Sequence, residues 1–418
     1  MLYFFYVLSR KSLFHLCLLI ILCSCSCRDR QNSEIVDNYS DLFINNVAVP
    51  DTMDISSLVS DVKILRLTDP IQKPITRIDQ LYALGNYYVV IDAVNTKRVN
   101  AYSADGKYLK TLMENGPTDK QSLNVTDCYV NEKDQIIIYD FAQMKLTTFD
   151  SNLIKKKYIQ GAKLFHYNHI ASIPGTENFV GYATYNLYNT QLQNNKKSPS
   201  NLDILSDELS LIEKHLTYPS KFEGITLITP AKSFFPYKDS LRFFRTYDPY
   251  IYNISKNEIQ RRYKITYSKG NFPSDFLEAI VKPHLKIFKE IGRTSPSIQA
   301  LYLYNKGYTS PKNWLEDDSL IYLSSINFLD NSTSLTNTLI LKGAKKPVVL
   351  SAGIFLEKEK FKISFPQFTS YDKKTAEFLA SCTGNQLKNY LFKDSPLISV
   401  NEIVDDSFYL IKVKFKHK

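Results

Sequence analysis

The sequence predicts an all-β fold, a six-bladed β-propeller with short helical insertions. Residues 86–110 have the pattern of two antiparallel strands followed by a turn, with Gly106 where a positive φ is needed. The pattern recurs at residues 135–156, in which Asp140 follows Asp92 by 48 residues. A single meander cannot cover its own apolar faces, so a strand repeat of this length indicates blades that stack around a ring.

The composition agrees with a β-rich core. The chain has 29 Tyr and 25 Phe but one Trp. Tyr and Phe are typical of half-buried pleated sheets, whereas a stacking platform for sugars would usually use Trp as well. The formal net charge is +10 over 418 residues, and the basic clusters are spread over distant repeats. This distribution argues against a nucleic-acid partner.

The N-terminal residues have the order of a secretion signal. A basic pair precedes an apolar run at residues 13–22, which is too short to span a bilayer. The sequence LCSC at residues 22–25 resembles the lipobox of bacterial lipoproteins. The resemblance implies cleavage before Cys25 and acylation of Cys25, with Cys27 as the alternative.

Three parts are therefore predicted: a lipoprotein signal peptide at residues 1–24, a lipid anchor and tether at residues 25–53, and the propeller at residues 54–418. Acyl chains on Cys25 would hold the protein on the outer membrane, so membrane lipid is a predicted partner. The residues after Cys25 lack the acidic cluster that would indicate export to the cell surface. Their composition favours a periplasm-facing anchor.

The remaining elements follow the ring in order. A strand at residues 55–67 is predicted to pair with the C-terminal strand at residues 407–415 and to close the circle. Further meanders are predicted at residues 204–214 and 241–265, strands of a fifth unit at 320–328 and 338–341, and a sixth unit from residues 348–365 with the C-terminal strand. Helices are predicted at residues 274–291, where Pro283 should kink or end the helix, and at residues 372–391.

From residue 54 to the C-terminus, the chain resembles the six-bladed β-propeller lipoproteins that are common in Bacteroidetes. The matching segments are residues 54–67, 75–92, 99–109 and 248–271, followed by the final strand. The resemblance implies the propeller fold and the cell-envelope location. It implies no activity, because the family has no single assigned function and offers no catalytic motif.

The sequence contains no motif that predicts a catalytic residue, a metal site or a cofactor. His166 and His169 have a spacing that suits a metal on a helix, but on a strand they would point to opposite faces. We expect them to be surface or hydrogen-bonded histidines. Asp92 and Asp140 are expected to accept hydrogen bonds from turn amides. Cys128 and Cys382, 254 residues apart, are expected to be buried separately, with a disulfide as the less favoured alternative.

Four residues are candidates for ligand binding, because their strands could reach the central funnel: Arg77, Asp79, Arg245 and Tyr247. The predicted function is that of a non-catalytic binding or scaffold module for a peptide, glycan or protein partner. One alternative is a hydrolase or lyase that acts on a glycan or peptide, which would bring acidic residues close to His166 or His169 in the funnel. Another is a structural component of a membrane protein complex, which would expose an apolar patch on a blade edge.

Overall fold

The computed structural model of the chain confirms the six-bladed β-propeller. The structure describes residues 35–46, 52–70, 74–116, 121–122, 125–160, 167–184, 199–222, 224–225, 230–245, 247–286, 288–289, 307–329, 332–343, 348–350, 353–356, 361–364 and 367–416. No helix in these ranges is long and apolar enough to cross a membrane.

The strands follow one another with few interruptions. In chain order they are β1 (Val36–Ile44), β2 (Thr52–Asp54), β3 (Val59–Arg66), β4 (Gln80–Ala83), β5 (Tyr87–Asp92), β6 (Arg98–Ser103), β7 (Tyr108–Asn115), β8 (Gln121–Ser122), β9 (Val125–Val130), β10 (Ile136–Asp140), β11 (Lys145–Phe149), β12 (Lys155–Gln160), β13 (His169–Ser172), β14 (Phe179–Tyr182), β15 (Ser200–Leu205), β16 (Leu211–Thr217), β17 (Phe234–Tyr237), β18 (Ser240–Phe243), β19 (Tyr250–Ile254), β20 (Ile259–Tyr267), β21 (Thr309–Glu316), β22 (Leu320–Leu329), β23 (Ser332–Leu341), β24 (Val348–Leu350), β25 (Gly353–Leu356), β26 (Phe361–Ser364), β27 (Ser370–Asp372), β28 (Glu377–Thr383) and β29 (Phe408–Phe415).

Each blade is an antiparallel sheet built around four strands, which are consecutive in the chain in blades 1 to 5. Blades 1 to 5 are β4–β7, β9–β12, β13–β16, β17–β20 and β21–β24, and blade 6 is β27–β29 with β3. The first strands of neighbouring blades contact one another, so they surround the central axis. The second strands lie between two neighbouring blades, and every residue of β5 and of β10 is accordingly buried. The apolar core therefore lies between the blades.

The ring is closed as the sequence predicts. Strand β3 pairs with β29, with Val62 opposite Val413 and Ile64 opposite Ile411. The closing strand also packs against blade 1, because the backbone of Arg66 lies beside Gly106. Gly106 has a φ of +81°, and a Cβ atom there would lie 2.1 Å from the carbonyl oxygen of Arg66. Glycine is thus required both by the turn and by the closure.

Part of the expected tether is a strand. Strand β1 lies within residues 25–53 and pairs in parallel with β20, as a fifth strand at the outer edge of blade 4. Arg261 Nη1 donates to Asp37 Oδ1 at 2.5 Å, and the Tyr39 ring meets the Tyr250 ring at 5.2 Å. After β1, the buried Asn46 side chain donates to Thr309 in blade 5. The prediction of a tether up to residue 53 was therefore too long, because these contacts fix β1 on the body.

Two assignments in the last third of the chain were also wrong. Strand β24 belongs to blade 5, and β25 and β26 form a separate three-stranded sheet with β2. Residues 377–383, predicted to be helical, are strand β28, because their apolar side chains are buried in blade 6 beside β29. The helix, α1 (Gly384–Tyr390), begins only at Gly384, where Thr383 and Gln386 form a capping box.

The other predicted helix is irregular. A π-helical turn at Leu277–Val281 is followed by a 3₁₀ turn at Lys282–His284, which contains Pro283. Because Pro283 has no N–H group, it cannot continue the regular hydrogen-bonding pattern. The apolar side of this insertion packs Phe276 and Val281 into a small cluster outside the blades.

Candidate functional site

A cavity of about 130 Å³ lies on the central axis. Its lining comes from blades 1, 2, 4, 5 and 6 and includes Tyr82, Leu84, Asn131, Glu132, Asp134, Lys232, Phe235, Glu316, Tyr371, Asp372, Lys373 and Lys374. Several of these residues belong to the turns that join the first and second strands of their blades. The cavity is therefore associated with the face of the disc that carries these turns.

The backbone before Lys232 is held by two other blades. Gln80 in blade 1 donates its side-chain amide to the carbonyl oxygen of Ala231 at 3.0 Å. The Nε2 atom of His169 in blade 3 lies 3.0 Å from the carbonyl oxygen of Pro230. These contacts fix the direction in which the Lys232 side chain leaves the chain, just before the first strand of blade 4.

Lys232 is the most unusual charged group in the cavity. Its Nζ atom lies 4.4 Å from the centre of the Tyr82 ring and 5.3 Å from the centre of the Phe235 ring. Among the residues that the structure describes, no carboxylate lies within ion-pairing distance of this ammonium. Burial lowers the pKa of Lys232 to about 8, although Asp127 and Cys128 act in the opposite direction.

A second lysine stands at the mouth of the same cavity. Lys373 follows β27, and its positive charge contributes to the lowered pKa of Lys232. The cavity walls remove water from the Lys373 ammonium and lower its pKa, against the influence of Asp134 and Glu132. The lining of one cavity therefore contains two lysines whose pKa values are lowered by burial.

The carboxylates at the mouth are engaged by the protein itself. Asp134 forms an ion pair with Lys374 at 2.9 Å. Glu132 accepts a hydrogen bond from the Gly175 amide at 2.9 Å, and Asp372 accepts one from the Lys374 amide at the same distance. Each of these three carboxylates therefore has a partner within the protein.

The fourth carboxylate of the lining, Glu316, belongs to a buried network between blades 4 and 5. Arg242 Nε donates to it at 2.6 Å and Lys342 Nζ lies 2.8 Å from it. The Trp314 indole and the Tyr263 hydroxyl donate to the same carboxylate at 3.2 Å. Burial alone would raise the pKa of Glu316, but the two cations lower it overall. Glu316 thus lines the cavity, but its carboxylate oxygens are already hydrogen-bonded within the protein.

Two of the four predicted binding residues form a turn on blade 1. Arg77 Nε lies 2.5 Å from Asp79 Oδ1, and Asp79 Oδ2 accepts hydrogen bonds from the amides of Ala93 and Val94. The Arg77 side chain is 57% exposed. Neither residue lines the axial cavity.

The other two lie beside the helical insertion. Arg245 forms an ion pair with Asp248 at 2.7 Å, and the Tyr247 ring stacks on Phe276 with 4.6 Å between centres. Both line a separate cavity of about 230 Å³, which also includes Arg261. The structure therefore does not bring the four candidates together, and their role in binding stays a prediction.

Two aspartates in turns and two buried cysteines agree with the predictions made from the sequence. Asp92 accepts hydrogen bonds from the amides of Arg77, Asn95 and Thr96, and Asp140 accepts them from Ala142 and Gln143, so both confirm the turn role. The cysteines expected to be separate, Cys128 and Cys382, are both free and buried.

His169 is hydrogen-bonded, as expected, whereas His166 lies outside the described residues. The Nδ1 atom of His169 lies 3.2 Å from Asp127 Oδ2, so both ring nitrogens have partners. No group of three or more metal-ligating side chains occurs in the part of the chain that the structure describes. His169 contributes to the position of the segment before Lys232 rather than to the cavity lining.

Sequence reasoning missed Lys232 and Lys373. The available signal was weak: Lys232 stands two residues before β17, the short apolar first strand of blade 4. Many surface lysines share such a position in sequence. What distinguishes it is that Tyr82 of blade 1 and Lys373 of blade 6 meet Lys232 and its near neighbour Phe235 in the folded chain.

Comparison with known families agrees with this architecture. A family model described as a 6-bladed beta-propeller, DUF5128, matches residues 30–323, well over half of the chain. The chain belongs to the DUF5128 family. No curated protein matches this DUF5128 chain.

Solved structures resemble the DUF5128 propeller at low sequence identity. A Bacteroides fragilis protein named as exported superimposes with a TM-score of 0.69 at 13% identity, covering 91% of this chain and 100% of that one. A DUF4221 member from Bacteroides vulgatus has a TM-score of 0.47 at 8% identity, covering 86% and 97%. A Xanthomonas campestris gluconolactonase has a TM-score of 0.42 at 10% identity, covering 93% and 100%. Likeness at these identities concerns the fold alone.

Proposed function

We propose that this propeller is a non-catalytic binding protein of the cell envelope, and that its axial cavity takes up the anionic group of a peptide or glycan ligand. The observation that carries the proposal is the partly buried Lys232 ammonium, which has aromatic rings beside it and no carboxylate partner among the described residues. Burying an unpaired charge is unfavourable, and a ligand carboxylate would relieve that cost.

The lining suits such a ligand. Tyr82, Phe235 and Tyr371 supply aromatic surface, and Lys373 adds positive charge at the mouth. The nearby acidic side chains already have partners, so they do not compete for Lys232. A small number of polar groups set in an apolar wall is the usual composition of a ligand site.

The enzyme alternative is less well supported. Asp127 and His169 do meet at 3.2 Å, as that alternative requires. However, His169 is 4% exposed and both of its ring nitrogens are engaged. A general base needs a nitrogen that reaches the ligand, and His169 does not line the cavity.

The alternative of a structural component rests on β1. Val36, Tyr39 and Phe43 are 46%, 39% and 58% exposed on this edge strand. An edge strand with exposed apolar side chains can pair with another chain. Cross-linking in intact cells through a photoreactive residue at position 43 would capture a partner under this alternative, whereas labelling of lipid or of nothing would count against it.

The location in the envelope is part of the proposal. The signal pattern and the likeness to an exported protein support secretion. Acylation of Cys25 would hold the protein on the outer membrane, facing the periplasm. Cys25→Ser should move the protein from the membrane fraction to the soluble fraction and abolish incorporation of labelled fatty acid, and Cys27→Ser should do neither. The reverse result would assign the lipid to Cys27.

The binding proposal is tested with matched ligand pairs on the full-length protein in detergent. Glucuronate is compared with glucose, and an acetylated dipeptide with a free C-terminus is compared with its C-terminal amide. At one hundred times Kd, a ligand should raise the Tm by about 3 °C for a chain of this size. The rise should occur only with the carboxylate member of a pair.

Two lysine variants locate the binding site of the carboxylate ligand. Lys232→Met should abolish the rise in Tm, whereas Lys256→Met, in the exposed β19–β20 turn, should leave it unchanged. Equal stabilisation by the carboxylate and its neutral counterpart, or an unchanged response of Lys232→Met, would exclude an anion site at Lys232.

A further inference from the structure

We propose that Lys232 is an amine nucleophile, which forms an imine with the carbonyl group of an oxo acid in the axial cavity. The inference rests on the proposed function, because it takes the axial cavity as the ligand site. It goes beyond that function, since it adds a covalent step and names the ligand class, a carbonyl compound that also carries a carboxylate.

The surroundings of Lys232 differ from those of two other partly buried lysines in this propeller, Lys342 and Lys412. Lys342 lies 2.8 Å from Glu316, and Lys412 lies 2.7 Å from Glu377. Each of these ammonium groups is fixed in its charged form, and the pKa of each is raised by its carboxylate although burial acts against it. Lys232 is also partly buried, but none of the described residues places a carboxylate within ion-pairing distance of it.

Two features of the cavity act on the Lys232 nitrogen. Burial behind the Tyr82 and Phe235 rings removes water from the Nζ atom and disfavours its charged form, although the cation–π contacts with the rings offset part of this effect. Lys373 supplies a second positive charge in the same cavity. A lysine becomes nucleophilic at neutral pH when it is desolvated or placed beside another cation, and here both conditions act on one side chain.

The groups that shift the pKa of Lys232 are Asp127 and Cys128 on β9 and Lys373 in the β27–β28 turn, and Tyr82 on β4 lies beside its Nζ atom. The other charged residues of the same lining are Glu132, Asp134, Glu316, Asp372 and Lys374. Asp127 favours the ammonium, but its Oδ2 atom is shared between the His169 ring and the Ile170 amide. Burial and Lys373 outweigh it, and the pKa of Lys232 falls to about 8.

The chemical step balances without an oxidant or a cofactor. The neutral Lys232 nitrogen attacks the carbonyl carbon, so that a C–N bond forms while the π bond of the carbonyl breaks and its electron pair moves to the oxygen, which takes one proton from the nitrogen. The carbinolamine then loses its hydroxyl group together with the second amine proton as water, the C=N bond forms, and the water leaves through the cavity mouth. The products are one imine and one water molecule. A protonated imine would keep the cation–π contacts with Tyr82 and Phe235. Lys373 is placed to bind the carboxylate of the oxo acid.

The test uses glyoxylate and sodium cyanoborohydride with the full-length protein in detergent at pH 7.5. Reduction of the imine leaves a carboxymethyl group on the lysine, which peptide mapping by mass spectrometry locates. At this pH a lysine of pKa about 8 has on the order of a hundredfold more free amine than an ordinary lysine. Lys232 should therefore be modified at least tenfold faster than Lys256 or Lys412.

Two variants separate this proposal from anion binding. Lys232→Arg keeps the positive charge, so carboxylate ligands should still raise the Tm, but it should show no modification at position 232. Lys373→Met should reduce the preference of Lys232 for glyoxylate over acetaldehyde, which has no carboxylate. If exposed lysines are modified evenly and Lys232 shows no excess, the imine proposal is wrong. Anion binding is decided separately, by the rise in Tm with carboxylate ligands.

Discussion

Replacing Lys232 with methionine should stabilise the folded protein at neutral pH. Methionine has a similar length and no charge, so it removes an ammonium that the cavity does not neutralise. The pKa of Lys232 falls from 10.5 to about 8 in the folded chain. Each pKa unit corresponds to about 1.4 kcal/mol, so the charged form is disfavoured by about 3 kcal/mol. Because water in the cavity screens part of this cost, we expect Lys232→Met to gain about 1–3 kcal/mol in the free energy of unfolding.

The gain should depend on pH in a defined direction. Between pH 8 and 10.5 the unfolded chain binds more protons at Lys232 than the folded chain does. Stability of the wild-type protein should therefore rise with pH through this window, as far as Lys232 determines it. The advantage of Lys232→Met should be full below pH 8 and should vanish above about pH 10.5.

The measurement is urea unfolding followed by circular dichroism at pH 7, 8.5 and 10. Lys256→Met is the matched control, because it removes the same charge from an exposed turn and should change the free energy of unfolding by less than about 0.5 kcal/mol. A Lys232→Met variant that is no more stable than the wild type at pH 7, or whose advantage is the same at pH 10, would refute the account of Lys232 as a desolvated charge.

Three further substitutions test contacts that stabilise the blades and the ring closure, and urea unfolding measures the effect of each. Glu316→Gln should cost about 3–5 kcal/mol at pH 7, since Arg242 and Lys342 would stay buried without their carboxylate. Because the pKa of Glu316 is lowered in the folded protein, this cost should shrink as the pH falls through the pKa of Glu316. Asp92→Ala should cost about 3 kcal/mol by freeing several turn donors, and Asp92→Asn should cost less because one acceptor oxygen remains. Gly106→Ala should cost more than about 1 kcal/mol, because the new Cβ meets backbone 2.1 Å away; a neutral result would mean that the closure adapts freely.

The ring itself could be predicted from the sequence because its signals are local. The turn aspartates and the alternating apolar residues lie within each blade, and the closing pair of strands stands at the two ends of the body. Strand β28 was missed because EFLASCT has no Gly, Pro or strict alternation, so its period does not separate strand from helix. Strand β1 was missed because its exposed residues look like a polar linker. Its place is decided by β20, over 200 residues later.

The site could not be predicted in the same way. A lysine is unusual only when burial removes its water and no carboxylate pairs with it, and at Lys232 this depends on Tyr82 in blade 1 as well as on the nearby Phe235. Conversely, Arg77 and Arg245 looked available in sequence but have carboxylates three or fewer residues away that occupy them. Local sequence therefore pointed to arginines that pair with a nearby carboxylate. It could not point to Lys232, because the surroundings of this side chain form only in the folded chain.

The position of β1 also gives the protein a mechanical property. A pull on the N-terminal end reaches the β1–β20 ladder, with its seven paired positions, before it reaches the strand that closes the ring. The ion pair between Asp37 and Arg261 and the side chain of Asn46 lie along the same path. The outer strand can therefore yield first and absorb the extension while the six blades keep their register. Strand β1 would thus protect the blades from a force applied at the N-terminal end.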